Sequence, residues 1–304
     1  MKSFLRSHSK EKMNQRRIKN NDFFVDKPLC RDVFDADGKL LLKKGIVIKA
    51  QRQIDTLIAR GLYFLNDGFS EEKVQGEQTE DLKEQTPFDL IDHVYCQLSC
   101  LCGKEGSKKH FSSGIIDLAN TLQQTCQKDA NASLGAVFLI SESKYSIMRQ
   151  IHCALVCEII SEDLVPSTEE RLSVLAAALT MNIAMIELQE ILCNQKERLT
   201  EKQKIEIQSH PYRDVELLRS YGVSDNVWLD TVLQHHEFLD GSGYPQGLRG
   251  NAISPTVRLL TMADIYCAKL FPRSYRAPLK PHVAAREIFT GCRGFCFDEI
   301  LVKI

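Results

Sequence analysis

The sequence predicts a mainly α-helical protein with a small β-rich module toward its N-terminus, on three observations. Beyond Pro87, apolar residues recur three and four positions apart almost to the end of the chain, the period of helices buried along one face. Between Val25 and Asp67, short apolar runs alternate with Gly- and Asp-containing turns. Between these regions lies GFSEEKVQGEQTEDLKEQT, six acids against two lysines with almost nothing to bury. The expected organisation is a basic disordered tail at 1–21, a small α+β module at 22–67, an acidic linker at 68–86 and a helical domain at 87–304.

The tail carries Lys2, Arg6, Lys10, Lys12, Arg16, Arg17 and Lys19 against Glu11 and reads as a solvated segment. In the module, Asp35-Ala36-Asp37-Gly38 reads as a hairpin turn, Ile46-Val47-Ile48 as a strand, and Gln51 to Arg60 as a helix ending at Gly61. It holds no nucleophile or ligand set, so regulation, packing or dimerisation is its expected role.

The chain has 304 residues, 43% hydrophobic and 26% charged, with a net charge of -1, the balance of an ordinary soluble protein with no general drive toward a nucleic acid polymer. No apolar run is read as a membrane span and the N-terminus lacks the apolar core of a signal peptide, so the expected location is the cytoplasm. The eleven cysteines are scattered through apolar helical stretches and read as free thiols. Cys96, Cys100 and Cys102 with His93 lack a second ligand pair at zinc-site spacing.

In the helical domain, Phe88 to Leu101, Ile115 to Cys126 and Tyr145 to Ile160 carry helical spacing, the last with His152 beside a Met148, Ile151, Leu155, Ile159 stripe. Val174 to Met185 is apolar nearly all round and reads as one helix through the core. Another helix starts at Leu199-Thr200 and leads to His210-Pro211. A further helix, with Ser224 and Asp225 as capping candidates, places His235 and His236 in its last turn, facing the loop Asp240-Gly241-Ser242-Gly243-Tyr244-Pro245. Asp264 then sits among apolar residues from Val257 to Ala268, where a carboxylate needs a partner. Val283 to Phe289 and Phe297 to Val302 read as closing helices.

HHEFLDGSGYPQGLRG followed by VRLLTMADIYCA, with RSYR after it, resembles the second half of an HD-GYP domain, the bacterial subclass of HD-type phosphohydrolases that hydrolyse cyclic di-GMP. The likeness is strong over residues 140–304 and weaker over 20–70. It implies a helical HD-domain bundle and a two-metal centre, in which histidines supply neutral ligands and a shared carboxylate bridges the ions. His152, His210, His235, His236 and Asp264 match family ligands, the middle three serving one metal together. At the family's signature HD dyad this chain has Met181 and Asn182, with Ala184 where the family has glycine. Asn182 is a neutral amide and Met181 a soft thioether, so neither replaces the dyad. Cys267 stands where many members have another acid, and Met148 where some place a glutamate. Tyr244, Arg273 and Arg276 match positions that contact the dinucleotide phosphates, while Ser274 replaces the family's proline and is expected to loosen that loop.

The resemblance thus implies a module of cyclic di-GMP signalling that has lost efficient hydrolysis and works by binding the nucleotide or docking a protein partner through its GYP loop. The expected cofactor is one transition metal (iron, manganese or zinc) on His210, His235 and His236, or none, with His152 and Asp264 as residual partners. Two alternatives stand beside it: an active phosphodiesterase with an atypical metal centre, and a protein-interaction scaffold without metal or nucleotide. A homodimer is among the expected assemblies.

Overall fold

The computed structural model describes residues 86–291 apart from 104–107, 141–143, 162–163 and 166, and in the N-terminal region residues 15–17, 29, 32–35, 39–43, 46–48, 52–53, 56 and 63–65. The chain divides into two compact units, Met1–Lys83 and Glu84–Ile304.

The first unit contains an antiparallel sheet of order β1-β4-β2-β3, from β1 (Gln15–Arg17), β2 (Val33–Phe34), β3 (Leu40–Leu42) and β4 (Tyr63–Leu65). Strand β2 turns back into β3 where the Asp35 amide donates to the Lys39 carbonyl at 3.0 Å and the Asp35 carboxylate accepts the Lys39 amide at 2.9 Å, so the expected hairpin forms. The boundary expected at residue 22 shifts: β1 lies inside the stretch read as a disordered tail and pairs with β4, Gln15 opposite Leu65. Sheet pairing fixes backbone that composition alone reads as solvated. Of the expected helix at 51–60, Arg52, Gln53 and Thr56 are described and are helical; the linker before Thr86 and the closing helix at 297–302 lie outside the described residues.

The second unit is helical: α1 (Pro87–Leu101), α2 (Phe111–Val137), α3 (Tyr145–Ser161), α4 (Thr168–Thr180), α5 (Ile186–Asn194), α6 (Glu201–Ser220), α7 (Asn226–Gln234), α8 (Pro255–Leu270) and α9 (Pro281–Gly291). Side chains cap several helix starts: Thr86 forms a capping box with Asp89, Thr200 one with Gln203, Asp225 accepts the Trp228 amide, and Ser254 accepts that of Val257. Helix α2 runs farther than the expected 115–126. At its break, Asp129 is extended and accepts the Ala132 amide at 2.9 Å, acting as an internal cap.

Helices α3 and α4 form the centre of the core, where every residue from Ser146 to Cys157 and from Ser173 to Thr180 is buried. Trp228 is buried and donates its indole N–H to Thr180 Oγ1 of α4 at 2.8 Å. The stretch Thr168–Asn194 holds an 18-residue window apolar enough to cross a membrane, but 78% of that window is buried inside the fold, as in the core helix of a globular domain.

Helix α4 does not continue to Met185 as its apolar texture suggests. It stops at Thr180, and a turn at Met181-Asn182 leads into a 3-10 segment at Ile183–Met185. Helix α6 holds this turn: Asp214 accepts the Ala184 amide at 2.6 Å, and Arg213 donates to the Ala184 carbonyl at 2.7 Å. Both polar groups of one residue are thereby satisfied off the helix axis, which outweighs apolar continuity.

Candidate metal centre

Two histidines are aimed by the same device. Pro211, inside α6, lacks the N–H that would bond to the Ile207 carbonyl. That carbonyl accepts instead from His210 Nδ1 at 2.5 Å. His235 is the C-cap of α7, one residue beyond the last turn in which it is expected, and its Nδ1 donates to the Val232 carbonyl at 2.7 Å, one of the acceptors a helix end leaves unpaired. Since a carbonyl can only accept, each Nδ1 carries the proton and each Nε2 keeps its lone pair.

The two Nε2 atoms face each other at 3.2 Å. Two lone pairs at that distance repel unless an electrophile lies between them. Nitrogen ligands at 2.0–2.1 Å around a tetrahedral ion stand about 3.3 Å apart. His236 completes the set, and the three donor atoms lie within 4.8 Å of one another. Burial and then the neighbouring His235 bring His210 down to about 3; burial also lowers His235, and lowers His236 with help from the other two. The rings are thus neutral at neutral pH, the form in which imidazole binds metal. The donor set fits a transition metal.

The loop beside this set is built on Glu237, the residue after His236. Its buried carboxylate accepts the backbone amides of Gln246 at 2.6 Å, Gly247 at 3.2 Å and Leu248 at 2.9 Å. The loop then folds back so closely that a Cβ on Gly243 would meet the His236 carbonyl oxygen and the Glu237 Cα at 2.5 Å, which only glycine avoids. The close approach lets Tyr244 stack on His236, ring centroids 4.7 Å apart at 28°.

The other residual partners are engaged elsewhere. Asp264 on α8 accepts from Arg149 Nη2 on α3 at 2.6 Å, both side chains under a tenth exposed. His152 Nδ1 meets Cys267 Sγ at 3.2 Å, and its ring packs edge-on to Phe138 and Phe271. Burial takes His152 down to about 4. Met148, Met181, Asn182 and Cys267 are all buried.

Sequence reasoning does not single out Arg149. The available signal is a cation at the centre of an apolar run, which burial tolerates only with a partner. It also passes over Asp214. This residue lies one helical turn after His210, its Oδ2 is 4.0 Å from His210 Nε2 without a hydrogen bond, and burial holds its carboxyl well above the ordinary pKa.

Arg273 and Arg276 lie on a turn after α8 and bond to each other through their backbones. Arg273 donates to the hydroxyls of Tyr275 at 2.7 Å and Tyr145 at 3.2 Å, and Arg276 to the Ala268 carbonyl at 2.5 Å. Ser274 ties this turn down rather than loosening it. Its amide donates to the Cys193 carbonyl at 2.8 Å and its hydroxyl to the Gln195 carbonyl at 2.6 Å, neither of which proline can do.

Comparison with known proteins agrees with this architecture. The family model described as HD domain matches residues 113–298, more than half of the chain. A probable cyclic di-GMP phosphodiesterase of Vibrio cholerae is 40% identical over 77 residues, 25% of this chain and 17% of that protein. A 3'3'-cGAMP-specific phosphodiesterase of the same organism is 30% identical over 165 residues, 53% of this chain and 35% of the relative. A cyclic di-GMP phosphodiesterase of Pseudomonas aeruginosa is 27% identical over 161 residues, 53% and 39% of the two chains. The chain thus spans at most about two-fifths of these relatives. The solved structure of Bd1817, an HDG"Y"P protein from Bdellovibrio bacteriovorus, superposes with a TM-score of 0.62 at 13% identity, covering 95% of this chain and 98% of that one, which speaks to the fold alone. With a helical bundle that gathers His210, His235 and His236 beside a GYP loop, and with this family match across the same residues, the chain belongs to the HD domain family.

Proposed function

We propose that this chain is a cyclic-dinucleotide-binding HD-GYP module in which efficient hydrolysis has been lost, with one transition metal at most, held by His210, His235 and His236. The observation that carries the reading is the Arg149–Asp264 ion pair. Asp264 matches a metal ligand of the family, and here a guanidinium neutralises it. With Asn182 at the dyad, the acid that bridges two cations in the family is replaced by a neutral amide. A metal bound at the three histidines would supply Lewis acidity, and iron, manganese and zinc all accept imidazole. The chain's own groups would neutralise and orient a ligand: Arg149 as a buried charge, and Tyr244 as a stacking ring on His236. Cyclic di-GMP is the expected ligand. The relatives' names also include 3'3'-cGAMP, so the class proposed is the cyclic dinucleotide.

A mononuclear phosphodiesterase is the second reading, favoured by the 3.2 Å separation of the two Nε2 atoms. Elemental analysis paired with a hydrolysis assay separates the two. One metal equivalent or fewer, with cyclic di-GMP turnover far below about 1 per second, supports the first reading. Turnover at or above that rate, dependent on His235 and His236, supports the second. Two tightly held equivalents overturn both.

A further inference from the structure

Arg149 is an unusual presence: a guanidinium within an unbroken buried run of α3, 7% exposed, with one carboxylate partner and its Nε without any hydrogen bond. Five N–H donors in a rigid fork are far more than one monodentate contact to Asp264 Oδ1 uses. Three residues along the same two helices His152 meets Cys267, so Arg149 and Asp264 stand with the residues that match the second half of the family's metal centre. The positive charge of Arg149 also helps to lower the pKa values of His210, His235 and His236. A desolvated guanidinium is well matched to a phosphodiester, whose non-bridging oxygens are planar-fork acceptors of the same kind as a carboxylate.

We propose that Arg149 holds a phosphodiester group of the ligand, and that it does so without metal, in place of the second ion. The proposal rests on the cyclic-dinucleotide reading for the identity of the ligand, but not for its chemistry. Asp264 then has a definite part: it offsets the charge of Arg149 and positions it while no ligand is bound, and it competes with the ligand for the same N–H groups.

The test uses full-length protein treated with EDTA, titrated calorimetrically with cyclic di-GMP and, separately, with the simple phosphodiester bis(4-nitrophenyl) phosphate. Three variants are compared: Arg149→Gln, Asp264→Asn, and the double variant Arg149→Gln/Asp264→Asn, which removes both buried charges together and so avoids leaving either one orphaned. Circular dichroism establishes that each is folded. The double variant is expected to bind at least about tenfold more weakly than the unmutated chain, the loss of a charge-assisted contact. Asp264→Asn is expected to bind several-fold more tightly, because the competing carboxylate is gone. If the double variant binds as well as the unmutated chain, Arg149 serves only to neutralise Asp264, and the proposal is overturned. It is overturned also if the EDTA-treated protein binds neither probe. Binding of the simple phosphodiester in an Arg149-dependent way, without binding of cyclic di-GMP, upholds the role of Arg149 and removes the dinucleotide reading instead.

Discussion

The two halves of the centre use opposite means to keep charge out of trouble. On one side, His210, His235 and His236 are neutral, the Nδ1 protons of His210 and His235 are assigned to backbone carbonyls, and the Nε2 lone pairs of the same two rings converge. On the other, Asp264 is joined to an internal cation and His152 to a thiol. The first half is organised around something that would have to arrive; the second already pairs its acid with a cation and its imidazole with a thiol, which leaves neither ready for a second metal ion. On the reading that puts Met181 and Asn182 at the dyad positions, more than a ligand is missing. The surrounding side chains form a different and self-consistent set of bonds, and chemistry that needs two ions would have to break them.

The sharpest way to break the comparison is to remove one histidine from each half. His235→Ala should abolish tight metal binding, a larger loss than the roughly 10- to 100-fold caused by changes to residues that only support a ligand. His152→Ala should leave metal affinity within a few-fold. Calorimetric titration of the metal-stripped protein with zinc or manganese measures both, and equal losses would erase the distinction between the halves.

Next in size is the ion pair. Arg149→Ala should destabilise the fold by about 3–5 kcal/mol, since it leaves a buried carboxylate without its partner. Changing Asp264 to Asn in the same chain should recover much of that in urea denaturation. A loss below about 1 kcal/mol for Arg149→Ala would mean that water already serves the pair.

Rebuilding the dyad tests the same point from the other direction. Met181→His with Asn182→Asp should not by itself bring the metal content to two, because Arg149 still neutralises Asp264. Adding Arg149→Ala should allow it, with strong non-additivity among the three changes. Two metals in the double variant would show that Arg149 yields readily.

Acid should separate the contributions more gently. His152, His210 and His235 are buried with lowered pKa values, so the unfolded chain binds more protons than the folded one below about 6.5. Their stabilising effect is full above that pH and is lost as pH falls, for His152 and His210 toward folded values of about 4 and about 3, each by up to about 1.4 kcal/mol per pH unit. Asp214, whose pKa is raised, works in the opposite sense and loses stabilisation as pH rises above its ordinary value. With His236 lowered as well, four groups against one predict a melting temperature that drops between pH 7 and pH 5. A flat profile would place the histidines in contact with water.

Much of the fold could be read from residue patterns because apolar residues recur three and four apart in most helices, the central stretch is apolar nearly all round, and the loop before α8 is rich in glycine. That His210, His235 and His236 serve one site was legible through the resemblance to the HD-GYP family, while nearby punctuation, Pro211 in one case and the glycines after Asp240 in the other, fixes only the helical position of each. The end of α4 at Thr180 was not, since it depends on Arg213 and Asp214 of α6 reaching across to the backbone of Ala184. Nor was the partner of Asp264, because Arg149 lies 115 positions away with no periodic signal linking the two. Arg273 and Arg276 stay in view as ligand contacts, but their present bonds to Tyr145, Tyr275 and the end of α8 would have to be exchanged for new ones.

Pro211 has a consequence for how this protein could be improved or spoiled. It weakens α6 by one hydrogen bond, and a stability screen would pick an alanine there as a gain. The new amide would compete with His210 for the Ile207 carbonyl, and the ring would be free to turn or to move its proton to Nε2. The same substitution would then give a firmer helix and a poorer ligand. In this domain, thermal robustness and readiness for metal pull against each other at a single residue.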